Sequence, residues 1–179
     1  MVQPETREVE LNFGGFSVTM PHKQAIIKHL DAIDTTAEKI GAVNTIKIDG
    51  NKLTGYNTDA YGFIMPLKEK YGDLKGARIA IFGAGGAARA CVYALKLENT
   101  EVTVFARDPE KGKSFAKGFD VDFTEISKTK DQKPKTNLSG FDIVVNASPL
   151  GMKGPLESES LFTAEQLEGV KFVYDLVTM

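Results

Sequence analysis

The stretch RIAIFGAGGAARA, residues 78–90, constrains the fold more than any other part of this chain. Its apolar opening has no polar alternation, the pattern of a strand buried on both faces. It runs straight into glycines and then into the alanine-rich CVYALKLENT, which reads as a helix. A second buried strand, EVTVFAR, follows at 101–107. Strand, glycine turn, helix and strand in this order form one βαβ unit of a parallel sheet.

Within the turn, Gly83, Ala84, Gly85, Gly86, Ala87 and Ala88 fit G-x-G-x-x-A. The pattern gains meaning from its place between a predicted strand and a predicted helix. Gly83 permits the tight turn, Gly85 lets a pyrophosphate approach the backbone, and the small Ala88 lets helix and strand pack closely. A diphosphate would rest on the free N–H groups of the helix start.

The end of the second strand reports on the cofactor. An acidic residue about 20 positions past the glycines is the usual ribose ligand in NAD sites. Here Arg107 comes first and Asp108 second. A guanidinium matches a 2′-phosphate in charge and in forked geometry, which favours NADP over NAD. Asp108 leaves two readings open: a cap for the next helix, DPEKGKSFAKGF, or an acceptor for a ribose hydroxyl.

Further strands are predicted in FDIVVNASPLGM and VKFVYDLVTM, and the lysine-rich 127–137 between the second strand and these is expected to be a solvated loop. The N-terminal part has a different style. GFSVTM alternates as a strand. Pro21 is expected to open a helix at its first position, with Ala25, Ile26, Leu30 and Ile33 at helical spacing. Lys23 would then sit in the first turn, where the helix dipole disfavours a cation. Thr35 or Thr36 is a candidate cap for a further helical turn that Gly41 would stop. AVNTIKIDGNKLTGYNT carries the signature of a hairpin turning at Asp-Gly-Asn. TDAYGFIMPLKEKYG reads as a helix capped by Thr58 or Asp59, with a kink or early break at Pro66.

The expectation is an α/β chain: a Rossmann-type parallel-sheet dinucleotide-binding domain over 74–179, preceded by a partial α/β substrate domain over 1–73. The 179 residues are 42% hydrophobic, enough for one good core or two small ones. A net charge of −2 argues against a general nucleic-acid or membrane surface. One cysteine, Cys91, fits a reducing compartment. Residues 1–10 are polar and acidic, unlike a signal peptide, and no apolar run is long enough to span a bilayer. A cytoplasmic protein is expected. His22, His29 and Cys91 show no metal-ligand spacing, so no metal is expected.

The segments FSVTMPHK, IGAVNTI, GYNTDAYGF, FGAGGAARA, VFARD, VNASPLGM and YDLV occur in this order. Taken together they resemble the shikimate dehydrogenases, including the dehydrogenase half of bifunctional dehydroquinate dehydratase enzymes. The resemblance implies NADP-dependent, reversible reduction of 3-dehydroshikimate to shikimate, in aromatic amino acid biosynthesis. It implies that Lys23 and Asp59 are a catalytic pair, that Thr19 and Asn44 contact substrate hydroxyls, and that Asn146, Ala147 and Ser148 form a loop beside the adenosine half of the cofactor. Ketone reduction leaves a developing alkoxide that needs a proton. A lysine where a cation is disfavoured suits a residue that must give one up.

Parts of the family pattern are missing. Before FSVTMPHK the family carries a βαβ-type segment with a Ser-x-Ser grip on the substrate carboxylate, and MVQPETREVE has no serine. After YDLV the family continues into helices that return to the substrate domain. A tyrosine often found after that strand is Thr178 here, and the family's Asn-Arg-Thr reads Ala106-Arg107-Asp108. The expectation is a fragment with weakened substrate binding and a sheet edge open to self-association. Two rivals stay open: an NAD-using quinate/shikimate dehydrogenase, and a non-catalytic dinucleotide-binding fragment.

Overall fold

Two sheets divide the chain in the computed structural model, which describes residues 13–126, 137–158 and 160–177. Most of the lysine-rich 127–137 stretch and Thr178 lie outside the described residues. The first sheet holds β1 (Gly15–Ser17), β2 (Ala32–Ile33), β3 (Thr45–Asp49) and β4 (Lys52–Tyr56), in the order β1-β3-β4-β2. The expected hairpin is β3–β4, paired antiparallel from Thr45↔Tyr56 to Asp49↔Lys52. Gly50, at φ +58, supplies the left-handed residue that the two-residue turn needs.

The second sheet holds β5 (Arg78–Phe82), β6 (Glu101–Ala106), β7 (Asp122–Glu125), β8 (Ile143–Asn146) and β9 (Phe172–Asp175). Its order is β7-β6-β5-β8-β9, and every pairing is parallel. Helix α3 (Gly86–Leu97) links β5 to β6, and α4 (Pro109–Phe119) links β6 to β7. The strand order reverses between β5 and β8, so their carboxyl ends open a crevice of the kind that binds ligands in such sheets.

The main core lies between this sheet and its helices. Ile79, Ile81, Val104, Ile143 and Val145 meet Ala88, Cys91, Val92 and Leu95 of α3. Helix α2 (Asp59–Tyr71) adds Ala60, Phe63 and Leu67 to the same cluster, and Ile40 joins from α1 (Thr35–Ile40). The small residues along α3 let α2 pack closely against it. A second cluster on the other side of the sheet stacks Phe82 on Phe105, ring centroids 4.7 Å apart.

Two local expectations fail, and of the two outcomes expected at Pro66 the early break does not occur. No helix starts at Pro21. Residues 20–24 form turns, and a five-residue 3₁₀ helix, Ala25–His29, follows. An α-helix would commit the Lys23 carbonyl to Ile27; instead it accepts from the Val43 N–H at 2.7 Å. The segment then straightens because Ala32 and Ile33 pair with Thr54 and Gly55 as strand β2. Lys23 therefore lies outside any helix of its own segment, and the dipole argument for that helix does not apply to it.

The cap of α1 is Asp34, not Thr35 or Thr36. The Asp34 N–H donates to the Gly55 carbonyl, holding it extended, and its carboxylate accepts from the Ala37 N–H at 2.8 Å. Gly41 stops the helix as expected, at φ +67. Helix α2 runs through Pro66 to Tyr71 rather than breaking early. Pro66 and Gly62 are both exposed, so the carbonyl that Pro66 cannot satisfy faces solvent, while Phe63 and Leu67 anchor the opposite face.

Candidate functional site

The loop after β5 is pressed against the loop after β8. The Gly83 N–H donates to the Phe105 carbonyl and the Ala147 N–H to the Phe82 carbonyl. Gly83 takes φ +122, and a Cβ there would lie 2.7 Å from the Ala147 carbonyl oxygen. Only glycine fits on both counts. Gly85 caps α3 with an extended backbone and no side chain, and a Cβ there would meet nothing. The first N–H groups of α3 therefore remain open for an anion.

These loops wall a cleft of about 540 Å³. Gly83, Ala84, Gly85, Gly86 and Ala87 line one side, and Ala147 and Ser148 another. Arg107 and Asp108 follow β6 at the rim. The Asp108 carboxylate accepts from the Lys111 N–H at 3.1 Å and caps α4, with Pro109 in the first turn. That cap turns Lys111 towards the cleft that Arg107 also lines. Sequence reasoning misses Lys111, although a signal for it exists. Four residues after Arg107 and in the first turn of a helix opened by Asp-Pro, it has to stay near the strand end.

The far wall comes from the first part of the chain, through Thr19, Met20, Pro21, Lys23 and Gln24. Lys23 Nζ donates to Asp59 Oδ2 at 2.7 Å across 36 residues of sequence. Both side chains are largely covered, at 18% and 31% exposure. Asp59 opens α2, where the helix dipole favours a carboxylate. Its N–H donates to Asn57 Oδ1 at 3.0 Å, and the buried Asn57 donates to the Ala42 carbonyl. Asn44 Nδ2 donates to Asp59 Oδ1 at 2.7 Å. Both oxygens of Asp59 thus accept a bond, which fixes where the lysine ammonium can sit.

Three predicted site residues lie elsewhere than in the cleft lining: Asp59, which stands behind Lys23, Asn44 and Asn146. Asn44 faces Asp59, and its side-chain Oδ1 accepts from the Thr58 N–H and the Thr45 hydroxyl. Asn146 is 3% exposed. It donates to the Leu150 carbonyl and to Asp175 Oδ1, and it accepts from the Ser148 N–H and hydroxyl. Asn146 is the pin that shapes the loop, while Ala147 and Ser148 present it to the cleft. Beneath the ion pair, burial and the Asp59 charge push the Cys91 thiol up, against a smaller opposing pull from Lys23. That buried thiol stays protonated. Among the described residues, no group of three or more His, Cys, Asp or Glu could hold a metal ion, and no helix is long and apolar enough to cross a membrane.

A parallel sheet in this order, with a glycine turn at its switch point, defines an α/β protein of the Rossmann type. Residues 66–170 match the family model described as shikimate / quinate 5-dehydrogenase, and residues 3–46 match the shikimate dehydrogenase substrate binding domain. The chain belongs to the shikimate/quinate dehydrogenase family.

A similar curated protein is the shikimate dehydrogenase (NADP(+)) of Methanocaldococcus jannaschii, 41% identical over 93% of this chain. The chain spans 60% of that relative's length. Among solved structures, a shikimate dehydrogenase in complex with NADP+ superimposes with a TM-score of 0.79 at 40% identity, covering 91% of this chain and 57% of that one. Shikimate 5-dehydrogenase from Thermus thermophilus, in complex with NADP(H) and shikimate, gives 0.78 at 35% identity, covering 93% and 59%.

Proposed function

We propose that this chain carries the catalytic pair and the cofactor site of an NADP-dependent shikimate dehydrogenase, acting on 3-dehydroshikimate and shikimate. The observation that carries the reading is that Lys23, held by Asp59, stands in the wall of the same cleft that the glycine turn lines. In this reading residues 1–73 form the substrate side and 74–179 the cofactor side.

The cleft fits NADP. Gly83 and Gly85 leave room for a pyrophosphate, α3 offers free N–H groups, and Arg107 with Lys111 supplies two cations where a 2′-phosphate would lie. Asp108 is engaged as a helix cap, which favours NADP over NAD. When bound, the nicotinamide supplies or takes the hydride. Lys23 gives its proton to the oxygen of the reduced ketone and recovers one from solvent, and in the reverse direction it takes the hydroxyl proton. Asp59 holds the Lys23 nitrogen in place, as ammonium before the transfer and as amine after it. Thr19, in the cleft wall, is assigned in this reading to a substrate hydroxyl. Asn44 acts on substrate chiefly by setting Asp59.

The same reading has the protein work in the cytoplasm, without a metal and without nucleic-acid or membrane partners, and self-associate through an exposed edge of the first sheet. The test is an assay of shikimate oxidation with each cofactor, followed by the absorbance of reduced nicotinamide. Turnover with NADP+ well above that with NAD+ is expected. Turnover of quinate with NAD+ alone would favour the quinate dehydrogenase reading, and failure to bind either cofactor would overturn both.

A further inference from the structure

We propose that Gly86 is a positioning residue for Lys23, in addition to lining the cofactor cleft. The lysine stem lies across the first residue of α3. A Cβ placed on Gly86 would sit 3.0 Å from Lys23 Cβ, 3.3 Å from Cδ and 3.6 Å from Cγ. The first two are tighter than side chains ordinarily pack, so a methyl group there would push the stem by a few tenths of an ångström.

The stem has little freedom to yield. Its backbone end is fixed by the Val43 N–H on the Lys23 carbonyl at 2.7 Å, and the neighbouring turn is closed by the His22 N–H on the Thr19 carbonyl. Its far end is held by Asp59 at 2.7 Å. A chain pinned at both ends and pressed in the middle must bow, and the bow moves Nζ or breaks its bond to Asp59. Proton transfer is steep in distance: about 1 Å of misplacement costs on the order of a hundredfold in rate, so a few tenths of an ångström cost a few-fold. The missing side chain at Gly86 therefore couples the dinucleotide turn to the residue that moves the proton. This rests on the reading of Lys23 given above.

Gly86→Ala tests it. Gly86 has no left-handed φ, and the helix preference of alanine offsets part of the crowding against Lys23, so the variant should fold and melt within a few degrees of the wild type. Its N–H is retained, so NADPH affinity should stay within about twofold. The kcat for shikimate oxidation should fall about three- to tenfold. In a Lys23→Ala background, the same change should cost nothing further. An unchanged kcat in Gly86→Ala, alongside a large loss in Lys23→Ala, would overturn the inference and leave the functional reading standing. A rise in NADPH Kd matching the loss of rate would assign Gly86 to the cofactor alone and overturn it equally. Full turnover in Lys23→Ala would instead bring down the reading beneath it, and the inference with it.

Discussion

Arg89 of α3 donates through Nε to the carbonyl of Ile40, the last residue of α1, and so ties the first sheet's helix to the helix layer of the second. The guanidinium lies over the rings of Phe115 and Phe119, at 5.6 and 5.0 Å. It also fills the space beside Gly41, where a Cβ would meet Nη2. Burial lowers its pKa, yet it remains charged at any working pH.

Arg89→Ala would leave the Ile40 carbonyl without this donor and remove two ring contacts. A charge-assisted bond and two such contacts predict a loss of about 2–4 kcal/mol in a urea unfolding experiment. Arg89→Lys should recover only part of it, because an ammonium lacks the planar face that stacks on the rings.

Arg107→Ala should weaken NADPH by about 10- to 100-fold and leave NADH nearly untouched, as expected for the loss of a charge-assisted bond to a 2′-phosphate. Lys111→Ala should act in the same direction. Calorimetric titration with both cofactors reads this directly. Equal losses for the two would remove Arg107 from the 2′-phosphate site.

At the other end of the second sheet, Asp142 gathers three strands. It accepts from the Arg78 N–H at 2.8 Å and pairs with Lys171 Nζ at 2.8 Å. The Lys171 bond, then the Arg78 N–H, hold its carboxyl below the usual carboxylate range. A folded-state pKa below the unfolded one gives stability that is present above the unfolded value, about 3.9, and lost as pH falls through the folded value. Urea midpoints of wild type and Asp142→Asn should therefore differ at pH 7 and converge in strong acid. A constant difference across that range would show that Asp142 acts through shape alone.

Much of this is legible in the sequence because local chemistry and tertiary structure agree there. The glycine turn, the hairpin and the parallel strands each carry signals that no distant contact opposes. The segment after Pro21 misleads because its fate rests on distant partners: Val43 takes the Lys23 carbonyl, and β4 draws Ala32 and Ile33 into strand. Pro66 promises a break that does not come, because a proline on an exposed helix face leaves its orphaned carbonyl to water. The inward turn of Asn146 depends on Asp175, 29 residues away, and nothing in the local pattern announces it.

In the function proposed above, Lys23 handles the proton while the glycine turn, with Arg107, holds the cofactor. Measuring kcat and NADPH Kd side by side in Lys23→Ala tests it most directly. Loss of a positioned acid/base predicts a fall in kcat of about 10²- to 10⁴-fold, with NADPH Kd changed by no more than a few-fold. Parallel loss of cofactor affinity and rate, or a kcat near wild type, would contradict it.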